Sequence, residues 1–107
     1  MPVHNKLVRD RIPEIIEKSG KIPHCHILDK NRYLAELDRK LNEECAEYQA
    51  DKSIEELADM LEVMYAIAVA RGYSAEELEK VRAEKSAERG AFNDRIFLES
   101  VDDQEVK

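Results

Sequence analysis

Leu41-Asn-Glu-Glu-Cys-Ala-Glu-Tyr-Gln-Ala-Asp-Lys-Ser-Ile-Glu-Glu-Leu-Ala-Asp-Met-Leu61 is the stretch whose reading decides the fold. Its middle, Asp51-Lys52-Ser53, is a tight break between two helical patterns. Before it, Leu34, Leu37, Leu41, Cys45 and Tyr48 recur at helical spacing, which predicts a helix from about Asn31 to Ala50. After it, Leu57, Leu61, Met64 and Ala68 form one stripe, widened by Met60, Val63 and Ile67. That predicts a second, largely buried helix from about Ser53 to Arg71, ended by Gly72. So short a connection makes the two helices antiparallel neighbours.

The same stretch carries the chemistry. Glu43-Glu44-x-x-Glu47 lies near the end of the first helix, and Glu56-x-x-Asp59 near the start of the second. Carboxylates at i and i+3 share a helix face. The hairpin therefore sets Glu44, Glu47, Glu56 and Asp59 at one level. A charge run is ordinarily a solvated face, and Ser53-x-x-Glu56 also fits a capping box. Asp59 has no such account: it lies past the first turn, among apolar residues, where Asp is a poor helix former. Carboxylates roughly 6 Å apart repel by about 3 kcal/mol per pair at an effective dielectric near 20. Four together call for protonation or a cation. All-oxygen ligation suits Mg²⁺, or Mn²⁺, better than zinc. A di-iron bundle would need Glu-x-x-His motifs, yet His4, His24 and His26 all lie outside the long helices.

Outward from the hairpin the signals are simpler. A short helix is expected near Pro13–Lys18, ended by Ser19-Gly20. Ser74-x-x-Glu77 starts another that runs to about Glu88. His24–Leu28 and Arg95–Val101 have strand-like composition and could pair as a minor two-stranded β element. The expected fold class is therefore all-α, an antiparallel helical hairpin bundle, with all 107 residues in one domain. Two basic segments flank the acids: Lys6-Leu-Val-Arg9-Asp10-Arg11, and Lys85 with Arg89 at i, i+4 before Gly90 and Phe92. Carboxylate-held Mg²⁺ commonly works on phosphates, and such a site needs cations for the remaining phosphate oxygens.

The net charge of -7 argues against a nucleic-acid polymer or an anionic membrane as partner. It leaves a phosphorylated small molecule open, because bound cations invert the local field. Two cysteines form no disulfide framework, and no signal region or membrane span is evident, so the expected location is cytoplasmic.

Asn5-Lys-Leu-Val-Arg-Asp-Arg-Ile-Pro13, Glu43-Glu-x-x-Glu47, Glu56-Leu-Ala-Asp59 and Lys85-x-x-x-Arg89-Gly-Ala-Phe92 follow one another in that order. Together they resemble the MazG-like nucleoside triphosphate pyrophosphohydrolases, relatives of the phosphoribosyl-ATP pyrophosphohydrolases. The resemblance covers about residues 4 to 100. It departs where Ala91 stands in place of a second glycine. It implies an all-α bundle completed as a homodimer or homotetramer. It also implies Mg²⁺-dependent cleavage of nucleoside triphosphates to monophosphate and pyrophosphate, in a house-cleaning role. By motif match Glu44, Glu47, Glu56 and Asp59 would be metal ligands, and Glu43 the catalytic group that orients or deprotonates the attacking water, or else a support for one of the ligands. Lys6, Arg9, Lys85 and Arg89 would hold phosphates. The alternatives are a phosphoribosyl-ATP pyrophosphohydrolase of histidine biosynthesis, and a non-catalytic helical dimerisation or regulatory module with a cation site.

Overall fold

A computed structural model describes residues 4–103 and contains four helices: α1 (Ile12–Lys18), α2 (Lys30–Asp51), α3 (Ile54–Ala70) and α4 (Ala75–Arg89). Each long helix starts on a side-chain cap. Asp29 Oδ1 accepts from the Arg32 N–H at 2.8 Å, Ser53 Oγ from the Glu56 N–H at 3.4 Å, and Ser74 Oγ from the Glu77 N–H at 3.0 Å. The break between α2 and α3 turns on Lys52, which is left-handed at φ 60°. Its N–H donates to the Tyr48 carbonyl at 2.7 Å, which closes the end of α2. Its ammonium lies 5.2 Å from the Tyr48 ring centre and donates to Gln49 Oε1 at 2.8 Å, contacts that offset an unfavourable backbone. Gly90, at φ 84°, ends α4 where a side chain would be strained.

Helices α2 and α3 form the expected antiparallel hairpin and make the main tertiary contact; α4 packs on α3. Among the described residues no Cα of α1 comes within 8 Å of another helix, and none of α4 within 8 Å of α2. The covered core is small: Leu37 from α2 with Val63 and Ala68 from α3.

Helix α3 is apolar on two sides, and one of them is covered only at its C-terminal end, where Ala68 meets α4. Val63 and Ala68 are buried, while Leu57, Leu61 and Met64 remain 38–44% exposed, with Ile54 extending their line at 72%. The expectation of a largely buried α3 thus holds for one face within a single chain. The radius of gyration is 19.8 Å, against about 13 Å for a compact domain of this length.

No strand forms among the described residues. Segments 24–28 and 95–101 carry no regular structure, and Ile27, Ile96, Phe97, Leu98 and Val101 stand in solvent. The two-stranded pairing anticipated from composition is therefore absent. Two isolated strands are marginal in water without a third strand or a helix face to cover them.

Candidate metal centre

Glu43, Glu44 and Glu47 project from the last turns of α2, and Glu56 and Asp59 from the first turns of α3, because the two-residue break at Lys52-Ser53 folds these turns against each other. The outcome is two groups of three carboxylates. Glu43, Glu44 and Glu47 each offer an oxygen within 4.8 Å of the others, and so do Glu44, Glu56 and Asp59. Glu44 belongs to both, and is the hub.

Glu44 is also the most buried of the five, only 6% exposed. Its Oε2 and that of Glu56 are buried without a hydrogen-bond partner. Orphaned buried carboxylate oxygens are costly. Among the described residues Glu56 makes no return bond of a capping box: Ser53 caps α3, and Glu56 Oε2 is left without a hydrogen-bond partner. Burial, reinforced by the neighbouring Glu47 carboxylate, holds the Glu44 pKa above the ordinary glutamate value, although Lys40 pulls the other way. Hard oxygen donors, gathered from two helices with lone pairs unspent, fit a Mg²⁺ or Mn²⁺ ion.

Three cations stand against the five acids. Arg9 Nη2 donates to Asp59 Oδ1 at 2.6 Å. Lys6 Nζ lies 3.8 Å from Glu43 Oε1. Both come from the irregular segment before α1, so the N-terminal basic motif does reach the acids. The third is Lys40, whose Nζ lies 3.4 Å from Glu44 Oε1 and 3.6 Å from Glu43 Oε1, with a side chain only 17% exposed. Reading for motifs passed over Lys40. Its signal was present: it stands at i-4 from Glu44 and i-3 from Glu43, between Leu37 and Leu41 on the face that meets α3.

Lys85 and Arg89 are not brought to the acids within one chain. Both are exposed, and neither makes an ion pair or hydrogen bond among the described residues. The reason lies in α4. Leu78 and Val81 meet Tyr73 and Ala68 across a shared apolar cleft, but after Val81 the helix has no apolar side chain larger than alanine and nothing to hold it against α3. Phe92 beyond it is 96% exposed. His24, Cys25 and His26 are exposed and join no potential ligand group among the described residues.

No helix among the described residues is long and apolar enough to cross a membrane. No family model matches the chain, and no solved structure matches it. A protein of Mycolicibacterium smegmatis, itself uncharacterized, is 53% identical over 45 residues, which are 42% of this chain. The matched segment covers 46% of that relative's length, so the similarity is to part of it.

Proposed function

We propose that the chain is a Mg²⁺-dependent nucleoside triphosphate pyrophosphohydrolase, cleaving between the α- and β-phosphates, and that it works as a homo-oligomer in a house-cleaning role. The observation that carries this reading is the hub at Glu44, shared by two carboxylate groups and buried with one oxygen unspent. The supporting observation is that the N-terminal basic motif converges on the same acids.

Glu44, Glu47, Glu56 and Asp59 would hold the ion. When bound, it would neutralise the triphosphate and make an adjacent water more acidic. Glu43 accepts the proton of the attacking water. Its Oε1 is held by Lys40, which fixes the carboxylate in place, and Oε2 takes the proton. Lys40 also balances charge inside the site. Lys6 and Arg9 bind phosphate oxygens, with Arg9 suited to a two-pronged grip.

The open line Ile54, Leu57, Leu61 and Met64 is where a second copy completes the bundle. Lys85 and Arg89 supply their phosphate contacts in that assembly. Incubation of the protein with a mixed panel of nucleoside triphosphates and Mg²⁺ tests the activity. Pyrophosphate release by the wild type, lost in Glu56→Ala/Asp59→Ala, supports it. Release no greater than in that variant favours a non-catalytic module.

A further inference from the structure

We infer that the N-terminal arm, residues 4–11, is a latch on the acidic site, opened by a divalent ion and drawn back by a polyphosphate. This rests on the metal-site reading above. The arm's attachment is unusual. Helix α1, which follows it, packs on no other helix among the described residues. The arm reaches the hairpin through two ion pairs, Lys6 with Glu43 and Arg9 with Asp59, and between them Leu7 and Val8 are half-buried. Both pairs end on carboxylates of the same site, and one of them is a proposed ligand.

Asp59 Oδ1, 2.6 Å from the Arg9 guanidinium, cannot also serve a divalent ion without placing two cations side by side. The two uses compete. The buried, unspent oxygens of Glu44 and Glu56 give the ion its other partners, and Arg9 touches neither. The Arg9–Asp59 pair is exposed on both sides, 56% and 39%, so solvent weakens it enough for an entering divalent ion to displace the guanidinium. Lys40 differs: it is shielded and belongs to α2 itself, so it stays. The site thus has a resident cation and a mobile one. An ion entering at Asp59 frees Arg9, and with it the arm. A guanidinium and an ammonium released beside a cation-loaded site meet a polyphosphate as a preformed clamp. The metal therefore binds first, and the nucleotide closes the arm.

Limited trypsin digestion reads the arm directly, through cleavage at Lys6–Leu7 and Arg9–Asp10 identified by mass spectrometry. Mn²⁺ occupancy is followed separately by electron paramagnetic resonance, and cleavage at the exposed Lys80 in α4 serves as the internal control. With EDTA, arm cleavage is slow. With Mn²⁺ alone it rises several-fold relative to α4, and a non-hydrolysable triphosphate added with Mn²⁺ slows it again. Arg9→Gln is cut rapidly at Lys6–Leu7 even in EDTA, and binds Mn²⁺ more tightly than wild type. If Mn²⁺ binds and arm cleavage stays the same or slows, the latch is wrong and the metal site stands. If the wild type binds no Mn²⁺, both fall. If triphosphate fails to slow cleavage of the Mn²⁺ form, reclosure is wrong.

Discussion

Replacing Glu44 by Gln should make the metal-free protein more stable while removing its response to Mg²⁺. The magnitude follows from the site's geometry. Like charges 4.8 Å apart, the spacing that bounds each carboxylate group, repel by about 3.5 kcal/mol per pair at an effective dielectric near 20. The attraction of Lys40 at 3.4 Å returns about 5 kcal/mol on the same scale. Relief from Glu47 and Glu56 alone exceeds that attraction, and the raised pKa of Glu44 points the same way. Water reaches the outer acids and shrinks every term, so the expected gain is about 1 kcal/mol, equivalent to roughly 4–8 °C in Tm for a domain of this size. Gln keeps the shape of the side chain, so packing is unchanged. The assay is urea and thermal unfolding of both proteins in EDTA, repeated with saturating Mg²⁺. Wild type should gain stability with Mg²⁺, by about 2.7 kcal/mol at a hundredfold excess over Kd, and the variant should not. A clear loss of stability in EDTA on Glu44→Gln would refute the claim that the empty site is under repulsive stress.

The pH dependence follows from the same residue. Glu44 keeps its proton longer in the folded protein than in the unfolded chain. Its contribution to metal-free stability is therefore greatest in acid, and is lost as pH rises from the ordinary glutamate range through the raised folded value. Metal affinity should run the opposite way, because a ligand must be deprotonated. Subtracting the stability profile of Glu44→Gln from that of wild type in EDTA isolates the effect, and a flat difference would contradict it. At the open face of α3, Leu61→Glu should convert an oligomer to a monomer in sedimentation velocity, since it places a charge in the middle of the exposed apolar line. A wild type that already sediments as a monomer would remove the case for a second copy there.

The hairpin was legible because its signals are local. The apolar spacing, the Ser53 cap and the break at 51–53 act within a few residues, and α2 and α3 end within a residue of where those signals place them. The hairpin alone puts Glu44, Glu47, Glu56 and Asp59 at one level; the structure groups Glu44 with Glu56 and Asp59, and Glu47 with Glu43 and Glu44. What could not be read is which surface covers which. Periodicity marks Leu57, Leu61 and Met64 as apolar in the same way as Val63, yet only Val63 finds cover within the chain. Strand-like composition at 24–28 and 95–101 likewise carries no information about whether a sheet is there to receive it. Lys40 was missed for another reason: a lysine on a helix ordinarily belongs to solvent, and only the packing of α2 on α3 shows its ammonium shielded between two acids. The position of Lys85 and Arg89, away from the acids, depends on a stretch of α4 that has nothing apolar to anchor it.

Identification of the products formed from one nucleoside triphosphate with Mg²⁺ tests the central claim most directly. The site geometry, read as a pyrophosphohydrolase centre, predicts nucleoside monophosphate and pyrophosphate in equal amounts, with neither product formed in EDTA or by Glu56→Ala/Asp59→Ala. Nucleoside diphosphate and inorganic phosphate, or no turnover of any triphosphate by a protein shown to bind the metal, would contradict it.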